Sequence, residues 1–354
     1  MKLPKKKFIF IGGGLIVLAV VLLLIASALP KPLQSQRQAE RWAGESGVRF
    51  AQFSCFLSPA ETPMQTGDIA LLRQKLTEKL TAASVETPPG GRLFCDAWSA
   101  TGKLKVKGER GSFDAVAVAV GGSYFDFHPM ALCSGAYLAE GDLMRDRVVL
   151  DAQLAWLLYG STDLAGLSVE IGGQQYFIAG VVEQTDDRAT SAVSEAAPTV
   201  YLPCDTYLTM DGSAGIDCYE IVLPEPAEGF AASVLKDCFA AEDGVTRENT
   251  GRFRFGNSLR LLKRFSRLPV RTEAVAFPAW ENAALLTETR CAILRAFALL
   301  ALVFPAALLC TEAVRGVLYL RRTLRGSGRT ALGRLRDRAD ERRMRRDAEE
   351  KRED

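Results

Sequence analysis

Apolar residues are concentrated in two long runs near the ends of the chain, and this pattern predicts two membrane-spanning helices. The first run, residues 8–29, contains no charged residue and follows Lys2, Lys5, Lys6 and Lys7. As a helix it would be about 33 Å long, enough to cross the hydrocarbon core of a bilayer. The preceding lysines predict that residues 1–7 lie in the cytoplasm, by the positive-inside rule.

A cleaved signal peptide is the alternative interpretation of the first run. Ala26-Ser27-Ala28 resembles a signal-peptidase cleavage site. The apolar region of a signal peptide usually has roughly 7–15 residues, which is shorter than this run. The sequence therefore favours an uncleaved anchor, although it leaves both interpretations open.

The second apolar run, residues 291–320, predicts a second spanning helix. Its uncharged centre, residues 296–311, is short for a membrane crossing. Arg295 and Arg315 flank this centre, and arginines at such positions can extend toward the headgroups. Pro305 would kink the helix, which membrane helices tolerate.

Arg295 and Glu312 are candidate residues for an intramembrane contact. A carboxylate within a spanning segment is a candidate contact with another membrane helix. Pairing of Glu312 with Arg315, one helical turn further on, is the favoured alternative.

The charge distribution predicts which side of the membrane each segment occupies. The tail, residues 321–354, contains 13 basic and 8 acidic residues, whereas residues 30–290 carry a net charge of −8. Basic flanks are typical of the cytoplasmic side. We therefore predict a two-pass protein of the cell membrane with both termini in the cytoplasm and residues 30–290 outside. The tail is expected to flank the membrane rather than to bind nucleic acid.

The outer segment has the mixed pattern of an α+β domain. Residues 167–171 and 174–182, separated by Gly172-Gly173, predict a β-hairpin. Leu72, Leu76 and Leu80 share one face of a helix that opens at Gly67-Asp68. The other predicted strands are 49–57, 92–98, 112–120, 199–202 and 219–223, and the other predicted helices are 151–159 and 226–240.

Composition excludes several functional classes. The hydrophobic fraction of 48% is too high for a disordered chain. His128 is the single histidine, so a multi-histidine metal site is excluded. The sequence contains neither a phosphate-binding loop nor a nucleophile elbow. We therefore predict no enzymatic activity, no cofactor and no metal.

Two further polar features do not have the spacing of a catalytic or metal site. His128 lies close to Ser123 and Asp126 in sequence, but such near neighbours seldom form a catalytic triad, so we expect a loop histidine without function. Glu183, Asp186 and Asp187 lack the alternating ligand spacing of a calcium loop. We expect a solvated turn there.

Six cysteines fall in the outer segment and are candidates for disulfides. An even number in an oxidising compartment permits three bridges, and Cys55 and Cys95 lie in predicted strands that would bring them together if adjacent. Buried free thiols are an equally good interpretation. Cys291 and Cys310 lie in or beside the second apolar run and are expected to be packing residues. The six candidates are Cys55, Cys95, Cys133, Cys204, Cys218 and Cys238.

A basic stretch interrupts the acidic outer segment. Residues 252–271 contain seven basic and no acidic residues, and Leu261, Phe265 and Leu268 among them predict an amphipathic helix. Such a helix is a candidate for contact with lipid headgroups or with an acidic partner. A solvated helix face is the alternative. The candidate contact residues are Arg260, Lys263, Arg264 and Arg267.

An ordered set of short motifs between residues 119 and 203 resembles the periplasmic core domain of MacB-type ABC permeases. It consists of an aromatic pair after a Val/Ala strand, several glycines, a strand leading into a helix, and a hairpin. These are Tyr124-Phe125, Gly135, Gly141-Asp142, residues 147–151, residues 157–160, Ala165-Gly166, the hairpin 169–181 and residues 199–203.

This resemblance implies two outer lobes, one built from βαβ units whose segments lie on both sides of an inserted second lobe. It also implies that a separate cytoplasmic ATPase drives motion of the domain, which couples to a cargo or to an envelope protein or peptide. Permeases of this family usually carry four membrane helices, whereas this sequence predicts two. Pairing with another permease subunit is therefore expected. An anchored binding or sensing module without a transport role is the alternative.

Overall fold

The computed structural model describes residues 6–44, 47–58, 63–87, 91–183, 189–190, 192, 197–239, 244–264 and 277–353. Contacts along the chain divide it into two units. One comprises residues 1–25 and 294–354, and the other comprises residues 26–293. The first is helical and the second is the α+β domain.

Two long apolar helices flank the α+β domain in sequence. Helix α1 spans Lys6–Ala28 and helix α9 spans Ala279–Glu353. Both contain a stretch long and apolar enough to cross a membrane. Within the helical unit they pack together, with the ring centroids of Phe8 and Phe304 6.4 Å apart. Helix α9 begins before residue 291 and continues through Pro305 into the charged tail, so the second run is one part of a longer helix.

The α+β domain contains ten strands and seven α-helices in its described part. The strands are β1 (Phe50–Phe56), β2 (Cys95–Gly108), β3 (Gly111–Gly122), β4 (Ala131–Gly135), β5 (Arg147–Asp151), β6 (Ser168–Ile171), β7 (Gln174–Glu183), β8 (Thr199–Pro203), β9 (Cys218–Pro224) and β10 (Val245–Glu248). The helices are α2 (Gln38–Ala43), α3 (Thr66–Ala82), α4 (Tyr124–Phe127), α5 (Ala152–Leu158), α6 (Cys204–Met210), α7 (Phe230–Cys238) and α8 (Phe255–Arg264). A 3₁₀ turn, Gln34–Gln36, precedes α2.

Four strands form the first lobe, in the order β10-β1-β9-β2 with every neighbouring pair antiparallel. Helix α3 connects β1 to β2, and α7 connects β9 to β10, so the lobe consists of two split βαβ units. This is the ferredoxin-like arrangement. Its two halves lie on either side of residues 111–210 in sequence.

The inserted segment forms the second lobe, a closed barrel of six strands. The strands pair in the order β2-β3-β8-β5-β7-β6, and β6 returns to pair with β2 through Val106 and Lys107. Closure leaves no unpaired strand edge within the ring, and β4 adds to it outside by pairing with β7. The α+β fold and the inserted lobe expected from the sequence are thus confirmed.

The long hairpin β2–β3 belongs to both lobes. The first part of β2, from Cys95 to Ser99, pairs with β9, and its far end pairs with β6 in the barrel. Strand β3 follows β2 along its length, from Gly108–Gly111 to Ala97–Gly122. The two lobes therefore share a continuous strand pair and do not meet at a flexible linker.

One apolar core runs from the first lobe into the barrel. Leu72, Leu76 and Leu80 of α3 pack with Ala231, Val234 and Leu235 of α7 over one face of the sheet, and the same cluster fills the barrel interior. Helix α3 matches its predicted apolar face. In α7 the buried residues are Ala231, Val234 and Leu235, and Phe230 and Cys238 are partly buried and pack against the same core.

Asp217 connects the strands at the start of β9 and titrates unusually. Its Oδ2 accepts a hydrogen bond from Thr101 N at 2.8 Å, but burial raises its pKa to about 6. An aspartate in the unfolded chain titrates near pH 3.9, on the order of two units lower. Between these values the native state binds more protons than the unfolded state, so this group lowers stability as the pH rises from about 4 to 6.

We expect Asp217→Asn to remove this pH-dependent penalty. The free energy of unfolding of the variant, relative to the wild type, should rise by about 2 kcal/mol between pH 4 and pH 7.5, as judged from thermal unfolding of the detergent-solubilised full chain. Asp114→Asn, at an exposed position of β3, is the matched control and should leave the pH profile unchanged. If Asp217→Asn changed the free energy of unfolding by the same amount at all pH values, the raised pKa of Asp217 would be contradicted.

Candidate functional site

One face of the first lobe carries a row of buried polar side chains. In β1, Phe53 and Cys55 face α3 and α7, whereas Gln52 and Ser54 alternate to the opposite face. Glu220 of β9 lies on that opposite face too. All three polar residues are at most 2% exposed. Because burial of unpaired polar groups is costly, this face requires partners from other segments.

The segment that follows α1 supplies the partners of Gln52. Its Oε1 accepts a hydrogen bond from Gln38 N at 2.9 Å, and its Nε2 donates to Ser35 O at 2.6 Å. Arg41 in α2 donates to the carbonyl oxygen of Asp126, which ties the same segment to the end of α4. The chain leaving the first apolar helix is therefore fixed to the sheet by its backbone.

Glu220 organises the centre of the face. Its Oε2 lies 2.5 Å from His128 Nε2, and its Oε1 accepts a hydrogen bond from Ser54 Oγ at 3.1 Å. Asn249 Nδ2 donates to Ser54 Oγ at 2.8 Å. The imidazole of His128 packs against the ring of Trp280, with centroids 4.9 Å apart. Since Trp280 lies in the first turn of α9, this pair links the sheet to the start of that helix.

Arg252 forms the strongest connection to α9. Its guanidinium donates to both carboxylate oxygens of Glu281, at 2.8 and 2.9 Å, and to Glu288 Oε2 at 2.9 Å. It also donates to Gln36 Oε1 at 3.2 Å. Arg252 is 6% exposed and Glu281 is fully buried. Burial by itself would lower the pKa of Arg252, but the two carboxylates outweigh that effect and raise its pKa, so the guanidinium stays charged.

We refer to this set of contacts as the polar junction. It comprises Gln36, Gln52, Ser54, His128, Glu220, Asn249, Arg252, Glu281 and Glu288. The junction gathers the segment after α1, the loop after β10 and the first turns of α9 onto one sheet. It therefore fixes where the chain enters and leaves the domain.

The junction is not arranged for nucleophilic catalysis. Ser54, Glu220 and His128 are in contact, but the carboxylate lies between the hydroxyl and the imidazole, so His128 is not placed to take a proton from Ser54. Ser54 is also fully buried. The expectation that His128 lies in a loop is met, but the structure places it in this buried network, where it has a structural role.

The candidate disulfide cysteines are free thiols. Cys55 and Cys95 are not on neighbouring strands, because β9 lies between β1 and β2, so the predicted approach of these two residues was wrong. Cys218 lies on β9 beside β1, but it packs with Phe56 on the sheet face opposite to Cys55. Cys204 is buried, Cys238 is partly buried and Cys133 is exposed. Burial raises the pKa of Cys55 to about 12, which makes it an inert packing residue.

The remaining predicted residues are distributed over the chain. Arg260 is exposed in α8, and Lys263 and Arg264 belong to the last turn of that helix, whereas Arg267 lies outside the described residues. Arg295 is buried. Glu312 Oε1 accepts a hydrogen bond from Arg315 Nη1 at 2.7 Å, as the favoured alternative predicted.

The acidic candidates near residue 183 are only partly described. Glu183 ends β7 at an exposed position, and Asp186 and Asp187 lie outside the described residues. Within the described part of the chain no group of three His, Cys, Asp or Glu residues is placed to hold a metal ion.

A cavity of about 430 Å³ lies between α3, the loop before β5 and α6. Arg73 crosses it: its guanidinium forms two hydrogen bonds with Asp96, a further ion pair with Glu140, and lies 4.8 Å from the ring centroid of Trp98. Tyr124 and Phe125 add aromatic surface. The cavity combines aromatic and charged groups of both signs.

The polar junction was missed in the sequence. In the sequence Arg252 is one of seven basic residues in the stretch 252–271, and its distant partners Glu281 and Glu288 give no local signal. The pattern of β1 offered one clue, since Gln52 and Ser54 alternate with Phe53 and Cys55 in a strand that is buried along its length. Polar residues on one face of such a strand indicate a polar contact surface.

We expect Arg252→Gln to destabilise the full chain by about 3–5 kcal/mol, because it leaves Glu281 charged and buried without its partner. Arg254→Gln is the matched control: Arg254 is exposed two residues away and should change stability by at most about 0.5 kcal/mol. Adding Glu281→Gln to Arg252→Gln should recover part of the loss, measured by thermal unfolding in detergent. Equal effects of Arg252→Gln and Arg254→Gln would contradict the role of the ion pair.

No family model and no curated protein sequence matches the chain. Among solved structures it is similar to the periplasmic region of MacB from Actinobacillus actinomycetemcomitans, with 14% identity, a TM-score of 0.42, and coverage of 62% of this chain and 94% of that one.

It is also similar to the extracellular domain of the noncanonic ABC-type transporter YknZ from Gram-positive bacteria, with 15% identity, a TM-score of 0.37, and coverage of 56% and 98%. A third structure, a domain of a protein described as a permease from Porphyromonas gingivalis, has 13% identity, a TM-score of 0.33, and coverage of 58% and 89%. The similarity is one of fold, and no residue role is taken from these structures. The chain thus resembles MacB-type outer domains in structure, as its sequence indicated.

Proposed function

We propose that this protein is a non-catalytic membrane subunit whose extracytoplasmic domain transmits force between the membrane helices and a cargo or envelope partner. A separate cytoplasmic ATPase would supply the energy, and another permease subunit would assemble with this chain. In this proposal residues 1–7 and 321–354 are cytoplasmic, residues 8–29 and 291–320 span the membrane, and residues 30–290 form the outer domain.

The polar junction is the observation that supports this proposal. Force transmission requires that the segments next to the spanning helices be attached firmly to the domain they move. Gln52 holds the segment after α1 through its backbone, and Arg252 holds the start of α9 through two buried carboxylates. A domain tethered only for binding would need no buried ionic attachment at its base.

The shared hairpin β2–β3 would extend this coupling to the second lobe. Glu220 pairs with Ala97 of β2, and β2 continues into the barrel without interruption. A displacement at the junction would therefore reach the barrel through hydrogen-bonded strands.

An anchored binding or sensing module is the second candidate function. The cavity at Arg73, Trp98 and Glu140 supports it, because a concave site with aromatic and charged groups is typical of ligand recognition. Unlike the force-transmitting subunit, a binding or sensing module requires no ATPase.

Purification of the tagged full chain from native membranes in mild detergent separates the two candidates. For the transmission function we expect an ABC ATPase and a permease subunit to be recovered, with ATP hydrolysis in the purified material. The double variant Arg252→Gln/Glu281→Gln should retain the assembly but lower its hydrolysis several-fold, whereas Lys103→Gln, at an exposed position of β2, should match the wild type. Recovery of the chain without any ATPase would count against transmission and favour the binding module.

The exposed Cys133 offers a direct test of the topology. A membrane-impermeant maleimide applied to intact spheroplasts should label the wild type and not Cys133→Ala, because residue 133 is placed outside. Ser327→Cys in the Cys133→Ala background is the matched control, and it should react only after the membrane is permeabilised. Labelling of residue 327 in intact spheroplasts would overturn the orientation.

A further inference from the structure

Helix α8 is a short basic amphipathic helix that leaves the polar junction. It begins three residues after Arg252, which is bound to Glu281 and Glu288 of α9. The uncharged stretch that starts at residue 296 begins about two helical turns after Glu288. The ion pair therefore attaches α8 to the part of α9 that leads directly into the predicted membrane crossing.

Arg254, which directly precedes α8, and Arg260 within α8 are exposed. Arg254 and Arg260 form no ion pair with any residue in the described part of the chain, and Arg260 Nη1 makes a long hydrogen bond of 3.5 Å to Asn257 in its own helix. The outer segment as a whole is acidic, so carboxylate partners are plentiful. Arginines that remain exposed in such a domain are available to an anion outside it.

The faces of α8 suit a membrane surface. Ser258 is buried, whereas Gly256 and Arg260 lie on the opposite side of the helix and are exposed. Phe255 is 42% exposed. An aromatic ring beside basic residues on a helix is typical of segments that lie in the headgroup layer.

We propose that α8 binds anionic phospholipid headgroups of the outer leaflet and thereby fixes the height of the polar junction above the bilayer. The binding residues are Arg254, which directly precedes α8, and Arg260 within it. The proposal rests on the proposed membrane anchoring of the chain. Beside the two spanning helices, α8 would form a third contact with the membrane, made to lipid headgroups. Because α8 recognises the negative charge of the lipid surface, phospholipids without net charge should not bind it in place of anionic ones.

Hydrogen exchange of the full chain in lipid nanodiscs tests this proposal. We expect the backbone amides of residues 255–264 to exchange more slowly in nanodiscs of phosphatidylcholine mixed with phosphatidylglycerol than in nanodiscs of phosphatidylcholine alone. The difference should shrink at high salt, because headgroup contacts with exposed charges are screened. Each neutralised arginine, in Arg254→Gln and Arg260→Gln, should reduce the difference about fivefold.

The matched control is Lys103→Gln/Lys105→Gln, which removes two exposed positive charges from β2 and should preserve the lipid dependence. Equal exchange of residues 255–264 in the two kinds of nanodisc would overturn the proposal, as would loss of the difference in the β2 control. Failure of the chain to insert into nanodiscs would instead overturn the membrane anchoring itself, so the two failures are distinguishable.

Discussion

The buried guanidinium of Arg252 is the group on which the base of the domain depends. A charge removed from water is tolerated only when opposite charges and hydrogen bonds surround it, and Arg252 obtains these from Glu281 and Glu288. Both carboxylates belong to α9, and Gln36 comes from the segment after α1. One desolvated charge thus requires the two flanking segments to be in place together.

The sheet above this ion pair makes the domain a coherent body. Gln52 is hydrogen-bonded to the segment after α1, and Glu220 is bound by His128 and Ser54. The strand of Glu220, β9, pairs with β2 of the hairpin that closes the barrel. A firmly attached base and a continuous strand pair are the properties that a force-transmitting domain needs. A domain joined to its membrane anchor by a flexible linker would need neither property. The polar junction therefore favours the transmission function over simple binding.

Lipid contact by α8 would add a further attachment at the base of the domain. The ion pair at Arg252 lies three residues before the start of α8, and Arg260 and Phe255 of α8 are exposed. A headgroup contact there would resist tilting of the junction relative to the bilayer. Coupling between helices and domain would then depend on membrane charge as well as on protein contacts.

The sequence by itself determined the features that arise from local patterns. Uninterrupted apolar runs predict the two long helices, alternation of period two predicts the hairpin at Gly172-Gly173, and spacing of three and four predicts the buried face of α3. Ordered short motifs sufficed for the resemblance to MacB-type outer domains. Only the tertiary structure decided what depends on distant segments: the separation of Cys55 from Cys95 by β9, the closure of the barrel, and the pairing of Arg252 with Glu281. Strand order and burial decide these contacts, and a charged residue in sequence looks the same whether it will face water or a carboxylate in the core.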